Sequence, residues 1–178
     1  LMNKALEIIE AKYLFGIEKD KIEAIIHPEG LVHSFVEFVD GTTLASMAKP
    51  DMKIPISYGL GFPKIINNKI NKVDLQKLSN LSFEKIDRKK FPSIDFAYYA
   101  INQGQGMPIV LNAANELAVD YFMKEKIKFT DIFRLISSTL SYVDKNNIKL
   151  NSVSLNSILN FYDEIKEITS KNLKNFIK

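Results

Sequence analysis

Asn3, Lys4 and Glu7 stand at i, i+1 and i+4 of a run of helix formers, Met2–Phe15, so all three can share one helix face. Their chemistries complement one another. An amide and an ammonium can hold a phosphate or a hydroxyl, and a carboxylate can ligate a hard divalent cation. By spacing alone, such a Lys–Glu pair reads as a solvated surface pair. His27, Glu29 and His33 form a second group. Pro28 and Gly30 argue against one helix presenting all three, and the spacing is not that of a helical zinc site. A closed zinc site also needs more ligands, so ordinary loop or strand-end histidines are the simpler reading. Pro50-Asp51-Met52 reads as a turn whose Met can fill a core gap or lie on a flat ring such as a nicotinamide. Leu111-Asn112-Ala113-Ala114-Asn115-Glu116 sets polar residues beside small ones at an expected helix start, which suits capping and close helix packing.

These residues need elements to hold them. The first helix is expected to end at Gly16 and to bury Met2, Leu6, Ile9 and Tyr13. Residues 22–26 are short, apolar and β-branched, as a buried strand would be. Residues 31–39 alternate, Asp40-Gly41 signals a hairpin, and residues 42–47 return as the partner strand. From Gly59 to Pro92 the pattern weakens, and the Asn67-Asn68 pair and Lys89-Lys90 fall in what reads as a long connection. Beyond it the periodicity turns helical. Ser93 is expected to cap a helix stopped by Gly104. A stripe of Leu111, Ala114, Leu117, Ala118, Tyr121 and Phe122 marks the next. Thr130-Asp131 is expected to cap a helix burying Ile132, Ile136, Leu140 and Val143. Ser154 opens a last one with Leu155, Ile158, Leu159, Tyr162 and Ile165 inward. The tail after Thr169 is expected to fray.

Composition limits the function classes. The 178 residues carry no cysteine, which excludes disulfides and thiolate chemistry and fits a reducing, cytoplasmic setting. Net charge is +3, with lysines scattered among acidic residues rather than gathered into the basic stripe of a nucleic-acid binder. No apolar run is long enough to span a bilayer, so neither nucleic acid nor membrane is an expected partner. The chain opens on Leu1 and already reads as helix, from which a fragment of a longer protein is expected.

Taken in order, these pieces resemble the 1-deoxy-D-xylulose 5-phosphate reductoisomerase family. Met2-Asn3-Lys4 with Leu6-Glu7 looks like its substrate and metal helix. Ile26-His27-Pro28 with Val32-His33-Ser34 looks like its active-site strand and loop. Pro50-Asp51-Met52, Leu78-Ser79-Asn80-Leu81-Ser82-Phe83, Phe91-Pro92, Leu111-Asn112-Ala113-Ala114-Asn115-Glu116 and Phe129-Thr130-Asp131-Ile132 follow in family order. The resemblance implies an α+β chain: a remnant of an α/β catalytic domain over residues 1–61, a linker over 62–92 and a small all-helical bundle over 93–178. It implies an NADPH- and Mg²⁺- or Mn²⁺-dependent oxidoreductase and isomerase that makes 2-C-methyl-D-erythritol 4-phosphate for isoprenoid synthesis, acting as a homodimer. Asn3 and Lys4 would bind the substrate phosphate end, Glu7 would be one of three metal carboxylates, and His33 would line the substrate site. Lys4, Glu7 and His33 would form the catalytic set here. Met52, with Pro50 nearby, would pack near the nicotinamide and the reacting carbon skeleton, so that it binds substrate as well as cofactor. Glu29 receives no role. The chain has no Gly-rich dinucleotide turn, so it is expected to be inactive alone. A free-standing helical interaction module is the rival reading.

Overall fold

The computed structural model describes residues 1–67, 69–70 and 72–174. In chain order the elements are α1 (Met2–Phe15), β1 (Ile25–Ile26), β2 (Val32–Glu37), β3 (Thr43–Met47), α2 (Lys53–Gly61), β4 (Glu84–Lys85), α3 (Ser93–Gln103), α4 (Met107–Met123), α5 (Phe129–Lys145) and α6 (Leu155–Leu173). Helices dominate and the strands are short, a mixed α+β fold. Asn68 of the Asn67-Asn68 pair and tail residues 175–178 lie outside the described residues.

The chain divides into two compact units that are not consecutive in sequence: Leu1–Ala24 with Asp87–Lys178, and Ile25–Ile86. The expectation ran in chain order, with boundaries near 61 and 92. The difference arises because α1 packs on α3 of the helical region. Tyr98 Oη also donates to the Ile22 carbonyl at 2.6 Å, and the Lys19 ammonium reaches the Asn102 side chain.

The first unit holds every buried hydrophobic side chain among the described residues. Ala5, Ile8 and Ile9 are the buried face of α1, whereas Tyr13 is exposed. The expected face of large side chains was therefore rotated, because the small Ala5 allows the close approach to α3 that a count of bulky residues overlooks. α4, α5 and α6 pack mutually around Leu111, Leu135, Ile136, Val143 and Ile165. Full burial of each such side chain stabilises by about 1.5–3 kcal/mol. On α6 the inward stripe is Phe161, Ile165, Thr169 and Leu173, while Leu155 and Leu159 face water. Phe161 fills the space left by Gly106: a Cβ there would meet Leu150 Cβ and Phe161 Cε1 at 2.9 Å. The helix persists to a buried Leu173, past the point where fraying was expected.

Helix termini follow local chemistry, with three shifts from expectation. Gly16 closes α1 in the left-handed region, and Ser154 Oγ accepts from Ser157 N–H at 3.2 Å. α3, however, starts after Pro92, and its Ser93 is a buried first helical residue rather than a cap. α5 starts at Phe129, and Asp131 caps it from inside by accepting Lys128 N–H at 3.1 Å. α4 starts after Gly106, so 111–116 lies inside the helix and not at its start. Pro108 in the first turn costs no hydrogen bond and helps begin it there.

In the second unit, β2 and β3 form an antiparallel hairpin closed at Asp40-Gly41, where Gly41 takes φ +84°. Thr42 N–H donates to Asp40 Oδ1 at 2.9 Å and Phe38 N–H to the Thr42 carbonyl at 2.8 Å. β1 is only two residues long and half exposed, not the five-residue buried strand expected. Its partner is β4, so the stretch read as a plain connection supplies a strand. α2 was also unforeseen. Asp51 Oδ1 accepts Lys53 N–H at 2.9 Å and starts the helix, and Pro55 falls in the first turn, where it is tolerated.

Candidate active site

Within the first unit, the α1 face opposite Ala5, Ile8 and Ile9 carries Asn3, Lys4 and Glu7, all exposed. The Lys4 ammonium forks across the Glu7 carboxylate, with Nζ 2.9 Å from Oε1 and 2.8 Å from Oε2. Helical spacing puts Asn3 on the same face as Lys4 and Glu7, and the latter two meet there, a cation and an anion at one solvent-facing spot. Glu7 is a hard oxygen donor of the kind that Mg²⁺ or Mn²⁺ takes. Among the described residues no group of three or more His, Cys, Asp or Glu can hold a metal ion. The donor set therefore fits the contribution of one ligand and not a complete metal site.

Within the second unit, His33 is the extra residue of an irregularity in the hairpin. Val32 pairs with Met47 and Ser34 with Ser46, so two steps on β2 match one on β3. Such a bulge turns a side chain out of the regular alternation, a common device beside binding sites. His33 is exposed there. Met52 is 70% exposed at the head of α2, with Pro50 just before it. A bare, polarisable thioether at a surface suits packing against a flat ring.

His27 and Glu29 do not act as free ligands. His27 Nδ1 lies 2.8 Å from the Ser82 carbonyl and 3.0 Å from Glu29 Oε2. Its ring stacks on Phe83 with centroids 4.7 Å apart. Both Glu29 oxygens accept Ser82 N–H at 3.1 Å, and Oε1 accepts the Ser82 hydroxyl at 2.7 Å. The hydroxyl bond, above all, holds the Glu29 carboxyl below its ordinary value. Sequence reasoning left Glu29 without a role and could not find Ser82, 53 residues away.

The motif at 111–116 serves packing and pairing within the bundle. Ala113 and Ala114 are fully buried, and Asn112 faces solvent. Glu116 accepts from Lys166 Nζ at 2.7 Å and from the Tyr162 hydroxyl. No helix among the described residues is long and apolar enough to cross a membrane.

Comparison with known proteins gives the family and the fold. Residues 47–168 match the family described as the DXP reductoisomerase C-terminal domain. A 1-deoxy-D-xylulose 5-phosphate reductoisomerase of Methylobacillus flagellatus is 48% identical over 144 residues, 81% of this chain and 36% of that protein. One from Clostridium botulinum is 42% identical over 171 residues, 96% of this chain and 43% of that protein. The solved reductoisomerase of Zymomonas mobilis in complex with NADPH superposes with a TM-score of 0.88 at 36% identity, covering 97% of this chain and 44% of that one. A DOX-P reductoisomerase in complex with NADPH, fosmidomycin and magnesium gives 0.89 at 38%, with the same coverage. The chain thus spans less than half the length of these relatives. It belongs to the DXP reductoisomerase C-terminal domain family.

Proposed function

We propose that this chain is the C-terminal portion of a reductoisomerase that converts 1-deoxy-D-xylulose 5-phosphate to 2-C-methyl-D-erythritol 4-phosphate with NADPH and Mg²⁺ or Mn²⁺. The observation that carries the reading is the exposed Asn3–Lys4–Glu7 face, on a chain that matches such enzymes over nearly its whole length. Solved relatives bind NADPH and magnesium, which supports the cofactor assignment.

In this reading Lys4 and Asn3 bind the phosphate end of the substrate by charge-assisted and amide hydrogen bonds. Glu7 supplies one carboxylate to the divalent cation, which when bound stabilises oxyanion charge on the substrate. His33, turned outward by the bulge, lines the substrate, and Met52 with Pro50 borders the nicotinamide. The dinucleotide carries the hydride; the side chains only bind and orient. The remaining metal carboxylates and the dinucleotide domain come from elsewhere in the whole protein.

A homodimer, with residues 31–47 at or near its interface, also belongs to this reading. Phe35, Val36, Phe38 and Leu44 of the two-stranded hairpin are all exposed, and a lone hairpin with apolar side chains bare is marginal in water. Neither nucleic acid nor a membrane is a partner in this reading.

The test is turnover of 1-deoxy-D-xylulose 5-phosphate by the whole protein with NADPH and Mn²⁺, beside a Lys4→Ala, Glu7→Gln double variant. NADPH oxidation by the natural protein and its loss in the variant are expected. No turnover by the natural protein would overturn the reading.

A further inference from the structure

We infer that Glu29 and Ser82 form a latch that fixes the His27–Gly30 turn, and that Glu29 is thereby a positioning residue for His33. The observation is the closure of one small circuit within the second unit. The turn itself is bare of regular structure: Gly30 N–H meets the His27 carbonyl at 3.1 Å, and Gly30 holds φ +63°. Immediately before it, β1 and β4 share only two residue pairs, too short a ladder to hold a turn. The remaining ties converge on one residue. Ser82 gives its N–H and its hydroxyl to Glu29 and offers its carbonyl to His27. Hydrogen bonds to an ionised acceptor are the strong kind. Phe83, next in sequence, stacks on the His27 ring and meets Phe35 of β2 edge-on at 5.3 Å. The 82–83 segment therefore grips the turn on one side and the strand that carries His33 on the other.

The circuit also decides a proton. A backbone carbonyl and a carboxylate only accept, so the nitrogen between them, His27 Nδ1, must carry hydrogen. In the neutral ring this leaves His27 Nε2 as a bare lone pair. That nitrogen is buried and has no hydrogen-bond partner among the described residues, and the side chain is only 7% exposed. The tautomer is thus set by Glu29 and Ser82 in the way a carboxylate orients a histidine in catalytic and metal sites. Glu29 is engaged by Ser82 and His27. It acts through the turn.

The last step, to His33 and substrate, rests on the proposed function; the latch does not. Three measurements on the whole protein separate the two. With ¹⁵N-labelled histidine, His27 should show the Nδ1–H tautomer. By hydrogen exchange, the Ser82 amide should open at least about tenfold faster in Glu29→Ala, with α5 core amides unchanged and Glu29→Gln largely restoring protection. In steady-state kinetics, Glu29→Ala and Ser82→Ala should each raise the substrate KM several-fold with kcat within about twofold, again with rescue by Glu29→Gln. An Nε2–H tautomer, or Ser82 exchange untouched by Glu29→Ala, would overturn the latch. An unchanged KM in a variant whose Ser82 amide has opened would overturn the positioning role. Absence of turnover in the natural protein would sink the functional reading, and the first two measurements would still decide the latch.

Discussion

Lys4 and Glu7 meet in a forked ion pair, Nζ within 2.9 Å of both carboxylate oxygens, with both side chains about half exposed. An exposed pair of this kind is worth only about 0–1 kcal/mol. A divalent cation or a phosphate can therefore part the two groups at little cost. In the proposed function the pair is a resting arrangement for two ligand-binding groups; α1 itself is held by Ala5, Ile8 and Ile9 on its other face.

That division of labour predicts a dissociation of stability from activity. Glu7→Gln should leave the unfolding free energy within about 0.5 kcal/mol of the natural value, as surface changes do. The same variant should lower metal-dependent turnover of the whole protein by orders of magnitude. Urea unfolding and a Mn²⁺ titration of activity, run together, check it. A loss of stability matching the loss of activity would make Glu7 a structural residue.

Glu29 makes the second unit sensitive to acid. Its folded pKa lies below the ordinary 4.5, chiefly through the Ser82 hydroxyl. The unfolded state then takes up a proton first as pH falls. The contribution is fully present above pH 4.5 and is lost as pH drops through the lowered folded value. Ser82 amide exchange at fixed intrinsic rate should show this loss below pH 4.5, and Glu29→Gln should flatten it.

How much of this was legible follows physical range. The helices α3 to α6 and the hairpin were legible because their signals are local: apolar periodicity, Gly104, Asp40-Gly41 and Ser154 all act within a few residues. Lys4 and Glu7 were legible for the same reason, one helical turn apart. What escaped depended on distant partners. The inward face of α6 was set by the room that Gly106 leaves for Phe161, and the role of Glu29 by a serine 53 residues on. The bulge at His33 needs the register of both strands, which no single strand encodes.

Gly106 offers a direct test of that packing. It sits at φ +93°, and an added methyl would stand 2.9 Å from Leu150 Cβ and Phe161 Cε1. Overpacking costs about 1–3 kcal/mol, and the left-handed backbone adds about 1–2 kcal/mol for a residue with a Cβ. Gly106→Ala should lower the denaturation midpoint accordingly. Adding Phe161→Leu should recover part of the loss, because it removes the clashing ring edge. An additive double variant would show that Phe161 is not what Gly106 accommodates.

At the alkaline end, Tyr162 should report the α4–α6 contact. Burial first, and then the Glu116 carboxylate that accepts its hydroxyl, push its pKa up to about 12 from 10.0. Ionising it would place two anions against one another, beside the Lys166 ammonium that Glu116 already holds. Between pH 10 and 12 the unfolded chain loses this proton and the folded one keeps it, so unfolding becomes easier as pH rises. The stabilisation is whole below pH 10 and gone above about 12. Tyr162→Phe should remove this part of the slope, and Glu116→Gln should reduce it by bringing the phenol back toward its ordinary value. Ultraviolet titration of phenolate absorbance, compared with urea midpoints across the same range, reads both. A Tyr162 that titrates with the exposed tyrosines would mean that Glu116 and Tyr162 are not joined in solution.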